Sequence, residues 1–154
     1  MTMQTMTRKF LSFILVVVLS LPVLAFAQAG SANLQIEGAW ARRAALLTGG
    51  AGSGNSAVYA LLVNTGNAPD ALVAAASDAA GTVEIHESYR ESGMMKMRAV
   101  GRIDVPAGKK VEMKPGGFHV MLLNLKRDLK AGETIGVTLQ FEKAGKIPVT
   151  AVIK

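Results

Sequence analysis

The sequence has 154 residues, a net charge of +6, two histidines and no cysteine. This length suits a single domain with its own core, and the absence of cysteine excludes disulfides and every thiolate mechanism. The basic residues are scattered and only 5% of the residues are aromatic, so a nucleic-acid-binding surface is not expected.

The first 27 residues are typical of a secretory signal peptide. Arg8 and Lys9 precede an apolar run that ends in Ala25-Phe26-Ala27, a small-x-small site for a signal peptidase. A transmembrane anchor is the alternative, but two serines and a proline interrupt the run. Because no cysteine follows, a lipoprotein anchor is not expected. We predict export to the periplasm and cleavage after residue 27 or 29, which lowers the net charge from +6 to +4.

From residue 33 onward, short apolar and alternating segments are separated by Gly, Pro and Asn residues, and none has the 3.6-residue period of an amphipathic helix. A Gly-rich surface loop is expected at 48–55, and the alanines of 71–76 could equally be helical. Strands are predicted at 33–43, 56–64, 71–76, 83–87, 94–100, 110–113, 118–125, 134–142 and 147–153. The pattern predicts one all-β domain, 28–154, built as a two-sheet antiparallel sandwich or barrel.

Both histidines, His86 and His119, lie in predicted strands. Because strand side chains alternate, His119 and Met121 point to the same side of 118–125. The core side of that strand is formed by Phe118, Val120 and Leu122. In 83–87, His86 shares the polar side with Glu84, while Val83 and Ile85 face inward. Alternation therefore predicts a site-facing pair, His119 and Met121.

The methionines divide by the same rule. Met97 shares a face with Met95, while Lys96 and Arg98 take the other face. Met94, Met95 and Met113 are interpreted as gap-filling or edge residues. From residue types alone, the histidines could be ordinary surface residues and Met121 an ordinary core residue.

The available ligand types favour one metal. Thioether sulfur is soft and imidazole is borderline, and together they suit Cu(I) better than Zn²⁺, Mg²⁺ or Ca²⁺. Without cysteine there is no blue-copper site, and a mature chain that begins at Gln28 or Gly30 has no N-terminal histidine for oxygen chemistry. Two alternatives stay open: a metal-free adhesion or interaction module, and a copper oxidoreductase. The latter would need a cysteine, more histidines, or an open site with a proton-transfer residue. Glu84 and Glu87 flank His86 but could be solvated strand residues.

The spacing of the candidate ligands resembles that of a known family. Ten residues separate His86 from Met97, twenty-one separate Met97 from His119, and one separates His119 from Met121. This is the motif of the periplasmic copper chaperones called PCu(A)C. The flanking sequence is similar too, in segments 38–42 (GAWAR), 83–87 (VEIHE), 94–98 (MMKMR), 114–121 (KPGGFHVM) and 125–134 (LKRDLKAGET). The resemblance extends over residues 36–153.

The resemblance implies a cupredoxin-like antiparallel β-sandwich with Greek-key connections. It implies one Cu(I) near the surface, bound by His86, Met97, His119 and Met121, and no enzymatic activity. The expected role is copper delivery for cytochrome c oxidase assembly, to an oxidase subunit or a thiol-containing Sco-type protein. Such a monomer would meet the membrane only through its partner.

Two departures from the family pattern carry expectations of their own. The sequence ends at Lys154 without the His- and Met-rich tail of some members, so a second copper site is not expected. Pro69-Asp70 stands where many members have an acidic pair, a change expected to alter only a loop.

Overall fold

A computed structural model describes residues 30–46 and 54–154. The predicted signal peptide and most of the Gly-rich loop lie outside the described residues. The strands are β1 (Leu34–Ala41), β2 (Ser56–Asn64), β3 (Asp70–Ala76), β4 (Ala80–Glu91), β5 (Met94–Ala99), β6 (Ile103–Val105), β7 (Lys110–Met113), β8 (Phe118–Leu125), β9 (Thr134–Phe141) and β10 (Gly145–Ile153). The described residues form no helix, so they include no helical span long and apolar enough to cross a membrane.

The strands form one hydrogen-bonded sheet in the order β5-β4-β8-β2-β1-β10-β9-β3-β6, with β7 paired to β2. Strands far apart in sequence are neighbours, as Greek-key connections require. The sheet folds over so that its two halves share a core, and the prediction of a cupredoxin-like β-sandwich is confirmed. Two details differ from the expectation of two antiparallel sheets. The sheet is continuous, and β1 pairs with β10 in parallel, with Trp40 opposite Val152.

The core lies between the two halves of the folded sheet. Val58 of β2 and Val120 and Leu122 of β8 come from one half, and Leu139 and Phe141 of β9 come from the other. All five are at most 2% exposed. Each such side chain stabilises the fold by about 1.5–3 kcal/mol relative to an exposed position. The inward positions predicted for β8 are therefore correct, and they fix which side of β8 faces away from the core.

One strand and several strand boundaries differ from the sequence-based prediction. The short strand β6 was not predicted, and β3 begins one residue earlier, at Asp70. Strand β4 continues to Glu91 and turns into β5 through Ser92-Gly93, whose φ angles of 51° and 79° are those of a two-residue hairpin turn. The residues after 87 are mostly polar, so the sequence pattern predicted no strand there, but they pair with β5. All six residues of β5 are exposed.

Asp70 is a structural residue of the fold. Its carboxylate is 3% exposed and accepts hydrogen bonds from the backbone amides of Ala71 (2.7 Å), Lys143 (2.9 Å) and Ala144 (2.8 Å). It thereby fixes the start of β3 to the turn between β9 and β10. The expectation that the change to Pro69-Asp70 alters only a loop stays a prediction, but Asp70 itself is the first residue of β3 and not a loop residue.

A bulge in β1 places Trp40 beside Tyr59. The register of β1 against β2 shifts between Glu37 and Trp40, where Gly38 has a φ of 60°. A side chain at this position would be strained in the left-handed region, whereas glycine is not. After the bulge, Trp40 lies opposite Tyr59, and their ring centroids are 4.5 Å apart.

Candidate metal centre

The four predicted ligands lie on one face of three adjacent strands. His86 of β4 is directly opposite His119 of β8, and Ser88, the next residue of β4 on the same face, is opposite Met97 of β5. Met121 follows His119 on the same face of β8. Directly opposite residues project to the same face of a sheet. The predicted facing of His119 with Met121 is confirmed.

A cavity of about 270 Å³ opens on this face. Its lining includes Met97, His119 and Met121, together with Ser88 and Tyr59. The fourth candidate, His86, is not among the lining residues but lies beside them, its ring centroid 5.8 Å from that of His119. The structure thus brings three of the four residues to one cavity and places the fourth ring next to it.

Exposure differs sharply among the four side chains. His119 is 2% exposed and Met97 is 52% exposed, while Met121 and the His86 residue are intermediate. The face therefore has a buried imidazole at its base and an exposed thioether at its edge.

The His119 ring is oriented by the backbone. Its Nδ1 lies 3.0 Å from the Gly117 carbonyl oxygen, which can only accept, so Nδ1 carries the proton and Nε2 keeps a lone pair. Tyr59 packs near the ring, with centroids 6.0 Å apart. Burial lowers the pKa of His119, and the neighbouring His86 lowers it further against the opposing effect of the Gly117 hydrogen bond. A neutral imidazole with a free Nε2 is the metal-binding form.

The His86 ring is oriented by a carboxylate. Its Nε2 lies 2.8 Å from Glu84 Oε2, and an ionised carboxylate can only accept, so Nε2 donates. Its Nδ1 is buried and has no hydrogen-bond partner among the described residues. A buried polar atom without a partner is costly, and a lone pair left in this way suits a metal ion. The sequence left open whether Glu84 is solvated; its place two residues before His86 on one strand face was the available signal of this contact.

Arg42 and Arg43 line the cavity, and two ion pairs lie on the opposite face of β4 and β5. Arg98 binds Glu87 at 2.7 Å, and Lys96 binds Glu91. Within the described residues, no group of three or more His, Cys, Asp or Glu side chains could hold a metal ion. The thioethers are the further soft ligands that this face offers beside the two imidazoles.

The structural class is a cupredoxin-like β-sandwich, in which two imidazoles and two thioethers lie on one face. The LpqE-like lipoprotein family matches residues 34–153, and the chain belongs to this family. It is 35% identical over 123 residues to a protein of Leifsonia xyli subsp. xyli named as a lipoprotein, Lxx21020, covering 79% of this chain and 70% of that relative. The name applies to the relative; the present sequence contains no cysteine to which a lipid could be attached.

Several solved structures resemble the fold, and two of them hold copper. The copper-bound PCuAC domain from PmoF2 is 30% identical with a TM-score of 0.62, over 79% of this chain and 92% of that domain. The Cu(I) form of DR1885 from Deinococcus radiodurans is 31% identical with a TM-score of 0.58, over 84% and 83% of the two chains. The resemblance to the PCu(A)C family is confirmed.

Proposed function

We propose that this protein is a periplasmic copper chaperone that binds one Cu(I) through His86, Met97, His119 and Met121. The observation that supports the proposal is the arrangement of these side chains on one sheet face, with a lone pair left free on each imidazole. Two thioethers and two neutral imidazoles form a soft ligand set suited to Cu(I). The copper-bound state of similar PCuAC domains supports the choice of metal.

The proposed mechanism of transfer is stepwise ligand exchange. A thiolate or imidazole of the acceptor approaches the copper at the edge of the site where Met97 is exposed, and the ligands of the acceptor replace those of the site one at a time. Thioethers carry no proton, so their exchange needs no acid or base. Copper remains Cu(I) throughout, so no electron donor is needed and the protein acts without catalysing a reaction.

The proposal extends to the partner and the compartment. Residues 1–27 direct export and are removed, and the monomeric domain delivers copper for cytochrome c oxidase assembly. The acceptor is an oxidase subunit or a thiol-containing Sco-type protein. A strand edge and an exposed thioether at one end of the site leave room for such a protein to approach.

Metal content and X-ray absorption test the proposal directly. Residues 28–154 purified after expression to the periplasm should contain one copper per chain, with two sulfur and two nitrogen neighbours. The control carries His86→Gln, Met97→Leu, His119→Gln and Met121→Leu together. Equal Cu(I) binding by this control contradicts the proposal, and ligation by oxygen or nitrogen alone contradicts the role of the methionines.

Stability measurements separate a copper carrier from a metal-free interaction module. A ligand that binds the folded state stabilises it by mass action, by about 2.7 kcal/mol at a free concentration one hundred times the Kd. Cu(I) should therefore raise the Tm of the wild type under anaerobic conditions. A metal-free module would show the same Tm with and without copper.

A further inference from the structure

The β5 strand carries exposed methionines beside the candidate metal centre. Met94, Met95 and Met97 are 62%, 53% and 52% exposed, although methionine is usually buried. The four-ligand centre accounts for Met97 alone. Each of the other two exposes a soft sulfur atom at an edge strand, where it contributes nothing to the core.

One face of the β4–β5 hairpin is occupied by ion pairs. Glu87 binds Arg98 at 2.7 Å, and Glu91 binds Lys96. Met94 is directly opposite Glu91, so it belongs to this charged face. Its exposed side chain is therefore directed away from the metal centre.

The other face of the hairpin continues the metal-binding face outward. Met97 lies opposite Ser88, a residue of the cavity lining, and Met95 lies opposite Arg90, the next position on the same face. Met95 also reaches the rim of the cavity, because a Cβ atom at the lining residue Gly116 would lie 4.0 Å from Met95 Cε. Alternate positions on one strand allow the Met95 and Met97 thioethers to approach a common ion.

We propose that Met95 and Met97 form an outer Cu(I) site through which copper enters and leaves the four-ligand centre. The inference rests on the proposed function and adds a ligand to it. In the inward step, the bond from copper to Met95 Sδ breaks as a bond from copper to a histidine nitrogen forms, while Met97 Sδ stays bound. The outward step is the reverse. Neither step moves a proton or changes the oxidation state of copper.

Ag(I), a redox-inert ion of the same charge and softness, provides a direct probe. In wild-type protein with ¹³C-labelled methionine methyl groups, Ag(I) should shift the resonances of Met97 and Met121. In a variant that carries His86→Gln, His119→Gln and Met121→Leu, which keeps only the outer site, Ag(I) should shift those of Met95 and Met97 and leave that of Met94 in place. If the wild type shows its shifts and Met95 does not shift in the variant, the outer site is wrong while the four-ligand centre stands. If none of them shifts, both proposals fail.

Loading kinetics test the role of the outer site. Met95→Leu keeps the shape of the side chain and removes the sulfur, and Met94→Leu is the matched control on the same strand. Cu(I) supplied as its bicinchoninate complex should load the Met95→Leu protein about fivefold more slowly, with an unchanged equilibrium affinity, and Met94→Leu at the wild-type rate. Wild-type loading by Met95→Leu overturns the proposal. So does an equal loss of rate and affinity, because Met95 would then be a permanent ligand.

Discussion

The rings of His86 and His119 face each other across the β4–β8 ladder, with centroids 5.8 Å apart and planes inclined by 54°. Each ring is held by its own partner, Glu84 for His86 and the Gly117 carbonyl for His119. Both imidazoles are therefore oriented before any metal arrives, and ordering them costs little on binding. The exposed side chain of Met97 is the ligand that remains free to move during uptake and release of the metal.

Substitution of Met97 should separate metal binding from folding. Because the side chain is 52% exposed, Met97→Leu should change the free energy of unfolding by no more than about 0.5 kcal/mol. The Cu(I) affinity should fall by about tenfold, the loss of one weak ligand. Chelator competition measures the affinity and urea unfolding the stability. An unchanged affinity would remove Met97 from the ligand set.

His119→Ala should behave differently from Met97→Leu. His119 is 2% exposed and packs near Tyr59, so its truncation should lower the Cu(I) affinity and also lower the free energy of unfolding by about 1–3 kcal/mol. Urea unfolding of the metal-free variant measures the second effect. Full wild-type stability would contradict the packing role of the ring.

Glu84 should affect copper binding without contacting copper. Residues that orient a metal-bound histidine typically contribute about 10- to 100-fold to affinity, so Glu84→Ala should lower the Cu(I) affinity by about tenfold or more. Glu84→Gln keeps an acceptor oxygen and should recover part of the loss. Glu87→Gln is the matched control, because Glu87 pairs with Arg98 on the opposite face. Equal effects of the variants at 84 and 87 would show that only surface charge matters.

The sequence pattern predicted which side of a strand the ligands occupy, because the alternation of side chains along a strand is a local property. A strand fixes that His119 and Met121 share a side, and the apolar residues of β8 fix which side faces the core. The pairing of His86 with His119 depends instead on the register between strands 33 positions apart in the chain. Only the family resemblance supplied that relationship before the structure.

Two unpredicted contacts of carboxylates have different origins. Glu84 orients His86 from two residues away on the same strand face, which is a local contact, whereas Asp70 accepts three backbone hydrogen bonds. The partners of Asp70 lie 73 and 74 residues away or in the adjacent peptide. Hydrogen bonds between distant segments have no periodic signature, so local sequence analysis does not detect them.

Asp70 should be a determinant of stability at acidic pH. Burial raises the pKa of its carboxyl, but the amides of Lys143, Ala144 and Ala71 outweigh this effect and hold the pKa below the usual 3.8. A depressed folded pKa stabilises the protein above 3.8, and this contribution is lost as the pH falls toward the folded value. Asp70→Ala should lower the free energy of unfolding at pH 7 by about 3 kcal/mol.

The control for Asp70 is Asp104, an exposed carboxylate on the neighbouring strand β6 that binds Arg102. Asp104→Ala should change the free energy of unfolding by less than about 1 kcal/mol. Urea unfolding at pH 7 compares the two variants. Similar small losses would contradict the structural role of Asp70.

The stability of the metal-free protein should also depend on His119 near neutral pH. Burial lowers the pKa of this histidine in the folded state below its usual value of 6.5. Between the folded pKa and 6.5 the unfolded chain binds more protons than the folded one, so the free energy of unfolding rises with pH in that window. The contribution is present above 6.5 and is lost as the pH falls toward the folded pKa.

Urea unfolding of metal-free protein between pH 5 and 7.5 measures this dependence. One proton changes the free energy of unfolding by at most about 1.4 kcal/mol per pH unit. His119→Gln replaces the titrating ring by a neutral amide and should flatten the dependence, while His86→Gln, which keeps His119, should retain it. Identical pH profiles for the wild type and His119→Gln would show that the buried ring does not titrate in this range. The lowered pKa of His119 also favours its neutral form, so protons compete less with copper for this ring than for a solvent-exposed histidine.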